Sequence, residues 1–357
     1  VSANASVGGP LATNVDNARG HRIAVVGATG AVGTVMLQCL SERGLDQHNE
    51  IVLFATPKSA GKVIDGRTVV GLDEGADISG FDIALFSAGA GTSRLWAPRF
   101  VEAGATVIDN SSAFRRRDDV PLVVSEVNPH ALRNHNGLIA NPNCSTMQLM
   151  VALAPIHRAA GIERMVVSTY QSVSGTGKQA LDALDAEARA SLAGEPLPEP
   201  SIYPDHIAFN VIGAAGNFVE GDDHTDEERK MMFETRKILE DESIRVAVTC
   251  VRVPVRIGHS ESVNLETRDH LAAEDAIALL ADAPGLILTD VPSPLASEGR
   301  DEVFVGRVRR DQSHPNGLAM FVVADNLRKG AATNAVQIAE LLIRDRLLSS
   351  RRALASG

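Results

Sequence analysis

Short apolar runs and glycine-rich turns alternate along the first third of the chain. Residues 23–26, 51–54 and 83–86 are four-residue apolar runs, each closed by small or polar residues, and 106–109 is a further strand-like stretch that stops at Asn110-Ser111-Ser112. Behind the first, Val32, Val35, Met36, Cys39 and Leu40 recur at helical spacing. Residues 95–103 and 144–159 also read as helices. Strands alternating with helices predict a parallel α/β sheet.

The pattern changes after Gly161. Residues 165–173, 244–255, 262–266, 303–310 and 318–323 form longer, more amphipathic runs, with little helix between several of them. A mixed or antiparallel sheet is expected there, with helices over 178–192, 226–239 and 273–280. The proline-containing stretch 194–204 reads as a surface loop, and an amphipathic helix over 332–348 closes the pattern.

The resulting expectation is a Rossmann-type dinucleotide-binding domain over 21–143, completed by a C-terminal helical segment, 329–357, that returns to pack on the first helix. An α+β catalytic and oligomerisation domain fills 144–328. The length, 357 residues, suits two such domains. Residues 1–20 are small and polar and read as a disordered extension without signal-peptide character.

Charge and cysteine count narrow the functional classes. The net charge of −11 argues against nonspecific binding to nucleic acid or an anionic membrane, and no apolar run is long enough to cross a bilayer. Three widely spaced cysteines, Cys39, Cys144 and Cys250, form neither a disulfide framework nor a metal-ligand spacing. A reducing, cytoplasmic compartment is the expectation, and no metal is assigned.

The glycine pattern GATGAVG places Gly27, Gly30 and Gly33 between the first strand and the first helix. There, backbone N–H groups of residues such as Thr29, Ala31 and Val32 can reach a pyrophosphate. Selectivity for NAD needs an acid at the end of the second strand, and residues 51–59 contain none. Thr56, Lys58 and Ser59 suit a 2′-phosphate instead, so NADP is expected. A packing turn and a plain polar loop are the competing explanations.

Cys144 follows the turn and cap residues Pro142 and Asn143 and opens an apolar helical pattern. A helix N-terminus favours a thiolate there. Cys39 and Cys250 lie in apolar elements and read as core residues.

The motifs GATGAVG, NPNCST, STYQSVSG, VRVPVRIGHS and DNLRKGAA, in this order, resemble the aspartate-semialdehyde dehydrogenase family from about His21 to Leu348. That family is similar in architecture to glyceraldehyde-3-phosphate dehydrogenase. The resemblance implies reduction of aspartyl-4-phosphate with NADPH to aspartate semialdehyde and phosphate, and a homodimer or homotetramer built on a sheet of the catalytic domain. It also implies the roles of individual residues. Cys144 would be the nucleophile, His259 the general acid/base, and Gln171 the residue that orients the acyl intermediate. Arg252 would hold the substrate carboxylate and Glu227 its amino group. Arg115 and Lys230 would bind phosphate, with Asn110 nearby. Asn326, Ser174 and Gly175 would flank the nicotinamide.

The residue types suit that chemistry. A soft thiolate forms a reducible thioester, a histidine titrating near working pH can manage the proton, and two cationic sites answer the two anionic ends of the substrate. Bland alternatives stand beside each residue. His259 could be a turn histidine, Arg115 part of a solvated run with Arg116 and Arg117, and Lys230 an ordinary i,i+4 partner on a charged helix. A related acyl-phosphate or acyl-thioester reductase with another substrate, and a nucleotide sensor without catalysis, are the rival functions.

Overall fold

The computed structural model describes residues 20–349. The extension expected at the N-terminus, apart from Gly20, and residues 350–357 lie outside them.

Two sheets organise the chain. The first has seven strands: β1 (Arg22–Val26), β2 (Glu50–Ala55), β3 (Val63–Ile64), β4 (Arg67–Gly71), β5 (Ile83–Phe86), β6 (Thr106–Asp109) and β7 (Leu138–Ala140). Their order is β3-β4-β2-β1-β5-β6-β7, and every pairing except β3–β4 is parallel. Helices α1 (Ala31–Glu42), α2 (Leu45–His48) and α3 (Gly89–Glu102) connect these strands. The order turns back between β1 and β5, and the crevice at such a switch point is where α/β sheets bind ligands.

Helix α4 (Cys144–Ala160) leads from β7 into the second sheet. That sheet contains β8 (Ile162–Gln171), β9 (Arg245–Arg252), β10 (His259–Thr267), β11 (Leu286–Leu288), β12 (Val303–Arg310) and β13 (Gly317–Ala324). It is mixed, in the order β11-β12-β13-β10-β8-β9, with β8–β9 and β11–β12 parallel and the other pairs antiparallel. Helices α5 (Lys178–Ala193), α6 (Asp226–Leu239), α7 (Ala273–Ala281) and α8 (Pro294–Ser297) belong to this half. Helix α9 (Thr333–Arg344) crosses back to the first sheet. There Cys39 Sγ lies 3.4 Å from Thr333 Oγ1, and the Arg43 guanidinium donates to Glu340.

Several expected boundaries move, for tertiary reasons. The helix expected to start at Leu95 begins at Gly89, because the end of β5 feeds directly into it; local propensity yields to that context. The strand expected over 165–173 stops at Gln171, and Val173–Thr176 turns as a 3-10 helix. The strand expected to reach Val255 stops at Arg252, before Pro254, which has no N–H for a ladder. The strand expected over 262–266 is longer, beginning at His259, because both β8 and β13 pair with it. The last helix is split into a π turn, Arg328–Ala332, followed by α9, and it ends at Arg344 rather than Leu348. No helix among the described residues is long and apolar enough to cross a membrane.

Candidate active site

Cys144 is the first residue of α4, as its sequence context predicts. Asn143 caps the helix: its Oδ1 accepts the N–H groups of Ser145 (3.0 Å) and Thr146 (3.2 Å). Those first-turn donors are therefore already engaged. The cap is held in turn by α6. Asn143 N donates to Glu234 Oε2 (2.6 Å), and Asn143 Nδ2 donates to Glu227 Oε2 (2.7 Å).

The helix N-terminus does not by itself set the state of this thiol. Burial, seconded by the Glu227 carboxylate, pushes the Cys144 thiol up to about 12. Arg115, the Ser145 N–H and Arg252 act in the opposite direction but do not prevail. The other two cysteines are fully buried, as core residues should be.

Three neighbouring strand ends supply the other groups. In the β8–β9 register Gln171 faces Arg252, and β10 begins beside them at His259. Gln171 Nε2 donates to Ser145 Oγ at 3.1 Å, reaching the first turn of the Cys144 helix. Ser172, just past β8, joins the other two. Its N–H donates to His259 Nδ1 (3.0 Å), and its carbonyl accepts from Arg252 Nη1 (2.7 Å). Arg252 Nε and His259 Nε2 are buried with no partner among the described residues. Both are polar atoms left free for a ligand. The Arg252 guanidinium also lies 5.6 Å over the Tyr203 ring.

His259 departs from the expectation of a ring titrating near neutrality. Burial, reinforced by the Arg252 charge, lowers it to about 3. At that value the ring is neutral at neutral pH.

A cavity of about 580 Å³ lies along α6, lined by Ser112, Arg115, Arg116, Asp226, Lys230 and Glu234; it reaches the Cys144 turn through Glu234, which holds Asn143. Arg115 is not part of a solvated run. It is buried, donating from Nη1 to Glu234 (3.1 Å) and from Nη2 to the Asn110 carbonyl (2.7 Å). Its Nε is buried and unpartnered. Lys230 Nζ donates to Asp226 (2.7 Å) and Glu227 (2.6 Å). The i,i+4 pairing thus exists, and it presents the ammonium at the cavity. Burial lowers the Lys230 pKa, but Glu227 and Asp226 outweigh it and raise the value.

Asn110 is committed internally. Its Nδ2 donates to the Phe86 carbonyl (2.7 Å) and its Oδ1 accepts from Asn141 (2.6 Å). Asn326 likewise ties loops together. Its Oδ1 accepts from Gly258 N (2.9 Å) and Ser172 Oγ (3.0 Å), and its Nδ2 donates to Ser174 Oγ (3.0 Å). Gly175 packs on the catalytic face, where an added Cβ would lie 3.3 Å from His259 Nε2.

The glycine turn fits a dinucleotide. Gly27 has φ +89°, and a Cβ there would come within 2.3 Å of the Ser87 carbonyl oxygen. A Cβ at Gly33 would meet the Gly27 carbonyl at 2.2 Å. Gly30 caps α1 without a side chain, while Thr29 and Gly30 are exposed and Ala31 and Val32 half-buried. The first-turn amides of α1 thus lie at the switch-point crevice, a setting that suits a pyrophosphate. At the end of β2, Thr56 and Lys58 are exposed, and Ser59 closes the short 3-10 turn Pro57–Ser59.

Asn143, Ser145, Ser172 and Glu234 are site residues that motif reading passed over. Thr225 and Glu228 form a capping box that starts α6. That start was legible locally, whereas the contact of Glu234 with Asn143 was not.

Comparison with known proteins identifies the chain's relatives. Residues 22–135 match the family model described as semialdehyde dehydrogenase, NAD binding domain, and residues 153–329 match semialdehyde dehydrogenase, dimerisation domain. An aspartate-semialdehyde dehydrogenase of Aquifex aeolicus is 51% identical over 341 residues, covering 92% of this chain and 100% of the relative. The crystal structure of aspartate semialdehyde dehydrogenase II from Vibrio cholerae, complexed with ASA, superposes with a TM-score of 0.88 at 49% identity, covering 92% of this chain and 99% of that one. An aspartate semialdehyde dehydrogenase with NADP from Candida albicans superposes with a TM-score of 0.71 at 25% identity, over 92% and 99% of the two chains.

Proposed function

This chain belongs to the aspartate-semialdehyde dehydrogenase family, and we propose that it works with NADPH through a thioester on Cys144. The reaction is the reductive dephosphorylation of L-aspartyl-4-phosphate to L-aspartate-4-semialdehyde, in the biosynthesis of lysine, threonine, methionine and diaminopimelate. The observation that carries the assignment of residues is the meeting of the Cys144 helix with the ends of β8, β9 and β10, where Arg252 and His259 keep free buried polar atoms.

Cys144 Sγ attacks the acyl carbonyl. A C–S bond forms, the C–O bond to phosphate breaks, and the thiol proton leaves with the phosphate. Arg115 and Lys230 hold that phosphate in the cavity they line. Arg252 grips the α-carboxylate through its free Nε, and Glu227 receives the amino group. Gln171 orients the acyl group from its anchor on Ser145. NADPH, when bound, supplies the hydride that reduces the thioester. His259 begins on the donor side of its acid/base role. With Nδ1 accepting from Ser172, Nε2–H donates to the acyl oxygen and stabilises the negative charge that grows there. Re-formation of the carbonyl then expels the Cys144 thiolate, which takes up a proton.

For the cofactor, Gly27, Gly30 and Gly33 cradle the pyrophosphate, and Thr56, Lys58 and Ser59 take the 2′-phosphate. Ser174, Gly175 and Asn326 shape the nicotinamide end. The chain assembles as a homodimer through the outer face of the second sheet, where exposed Tyr170 stacks on Phe321 at 6.2 Å.

The deciding assay is reduction of NADP with aspartate semialdehyde, with and without inorganic phosphate. Phosphate-dependent turnover that is lost in Cys144→Ala, with NADPH binding retained, is the expected result. Turnover by Cys144→Ala at the wild-type rate overturns the thioester mechanism.

A further inference from the structure

Beneath the reacting groups lies a buried carboxyl that the mechanism does not use. Glu261 is 0% exposed, and neither of its oxygens has a hydrogen-bond partner among the described residues. It stands two residues after His259 on β10. By strand alternation it lies on the same inward face, the one covered by α4.

Gln148 meets it from above. This residue is four positions after Cys144, one turn along the same side of α4. Its Nε2 donates to the His259 carbonyl at 3.2 Å, while its Oε1 is buried without a partner. The carboxyl and Gln148 are close enough to act on each other: hydrogen bonding from Gln148 draws the Glu261 carboxyl down, but the larger effect of burial prevails and raises it. Three buried acceptor oxygens therefore face a shortage of donors. An ionised carboxylate would set acceptor against acceptor. A protonated carboxyl supplies the missing donor.

We propose that Glu261 is a positioning residue, kept as the neutral acid, whose hydroxyl donates to Gln148 Oε1 and so ties the helix bearing Cys144 to the strand bearing His259. The inference rests on the reading that these two residues carry the reaction.

The surroundings favour the neutral form. Burial raises the carboxyl well above its ordinary range. The titratable groups near it offer no compensating charge. Burial raises the thiols of Cys144 on α4 and Cys250 on β9, and it lowers His259 on the same strand. On β8, Thr169 stands directly opposite Glu261 in the register, and β13 presents Val322. The Thr169 hydroxyl is also without a partner and can donate to the second carboxyl oxygen.

The test pairs infrared spectroscopy with kinetics on the full-length enzyme. At neutral pH the wild type should show the carbonyl stretch of a protonated carboxylic acid in deuterated buffer, and Glu261→Gln should lack it. The Gln amide can donate to Gln148 Oε1 as the carboxyl does, so Glu261→Gln should keep kcat within about twofold. Glu261→Ala should lower kcat by roughly tenfold or more with little change in either KM, because geometry rather than binding is lost. Absence of the acid band in the wild type overturns the proposal. So does loss of activity in Glu261→Gln equal to that in Glu261→Ala. Should Glu261→Ala not fold, the band and the activity of Glu261→Gln still decide. The band is read without turnover, so failure of the Cys144 mechanism is detected separately, by activity in Cys144→Ala.

Discussion

The backbone N–H of Ser172 donates to Nδ1 of His259 at 3.0 Å. A backbone amide can only donate, so Nδ1 must accept and the ring proton sits on Nε2. The Ser172 carbonyl meanwhile holds Arg252, so one residue sets both the histidine tautomer and the cation beside it.

The first prediction follows from that tautomer. Burial and then the Arg252 charge lower His259 to about 3, from an ordinary value of about 6.5. In ¹⁵N NMR, Nδ1 should be unprotonated and Nε2 protonated, with no titration between about pH 5 and 8. A depressed folded value means that the neutral ring contributes stability above the ordinary histidine range. That contribution is lost as pH falls from the unfolded value through the folded one. A His259 resonance titrating near the ordinary value would show that the site is not closed in this way.

Gly330 presses on the nucleophile. A Cβ added there would lie 2.9 Å from Cys144 Cβ. Both atoms belong to packed backbone segments, the π turn and the first turn of α4, which have little room to give. Gly330→Ala should fold, bind NADPH, and lose about tenfold or more in kcat, with slower alkylation of Cys144. Unchanged alkylation and kcat would show that the turn yields freely.

Glu227 raises the Cys144 thiol, second only to burial. Glu227→Gln should therefore lower the thiol pKa and speed alkylation of Cys144 by iodoacetamide at fixed neutral pH. The same change should impair turnover, because the proposed partner of the substrate amino group is lost. An alkylation rate equal to or below that of the wild type would remove Glu227 as the tuning charge.

Lys58 is exposed at the end of β2, where no acid is available to hold a ribose hydroxyl. Lys58→Ala should remove about 1.5–3 kcal/mol of charge-assisted bonding to the 2′-phosphate. That corresponds to about a tenfold to hundredfold fall in kcat/KM for NADPH, with NADH use nearly unchanged. Equal losses with both cofactors would assign Lys58 to the surface.

Local pattern alone determined the β1–GATGAVG–α1 unit, the start of α4 at Cys144, the span of α6 and the change of sheet type after Gly161. Each depends on side-chain periodicity or on capping within a few residues, and both are written consecutively in the chain. The small strands β3, β4, β7 and β11 were not legible, because such short stretches without a regular strand, turn and helix pattern around them become strands only when a neighbour pairs with them. The site divides in the same way. Motifs singled out Cys144, Gln171, Arg252 and His259, but the pKa values of Cys144 and His259 depend on what folds over them. Glu227 and Glu234 reach Asn143 across 84 and 91 residues, and Arg115 reaches Glu234 across 119. Burial and Coulomb interaction act through space rather than along the chain. Only the tertiary structure raises the Cys144 thiol and lowers the His259 ring.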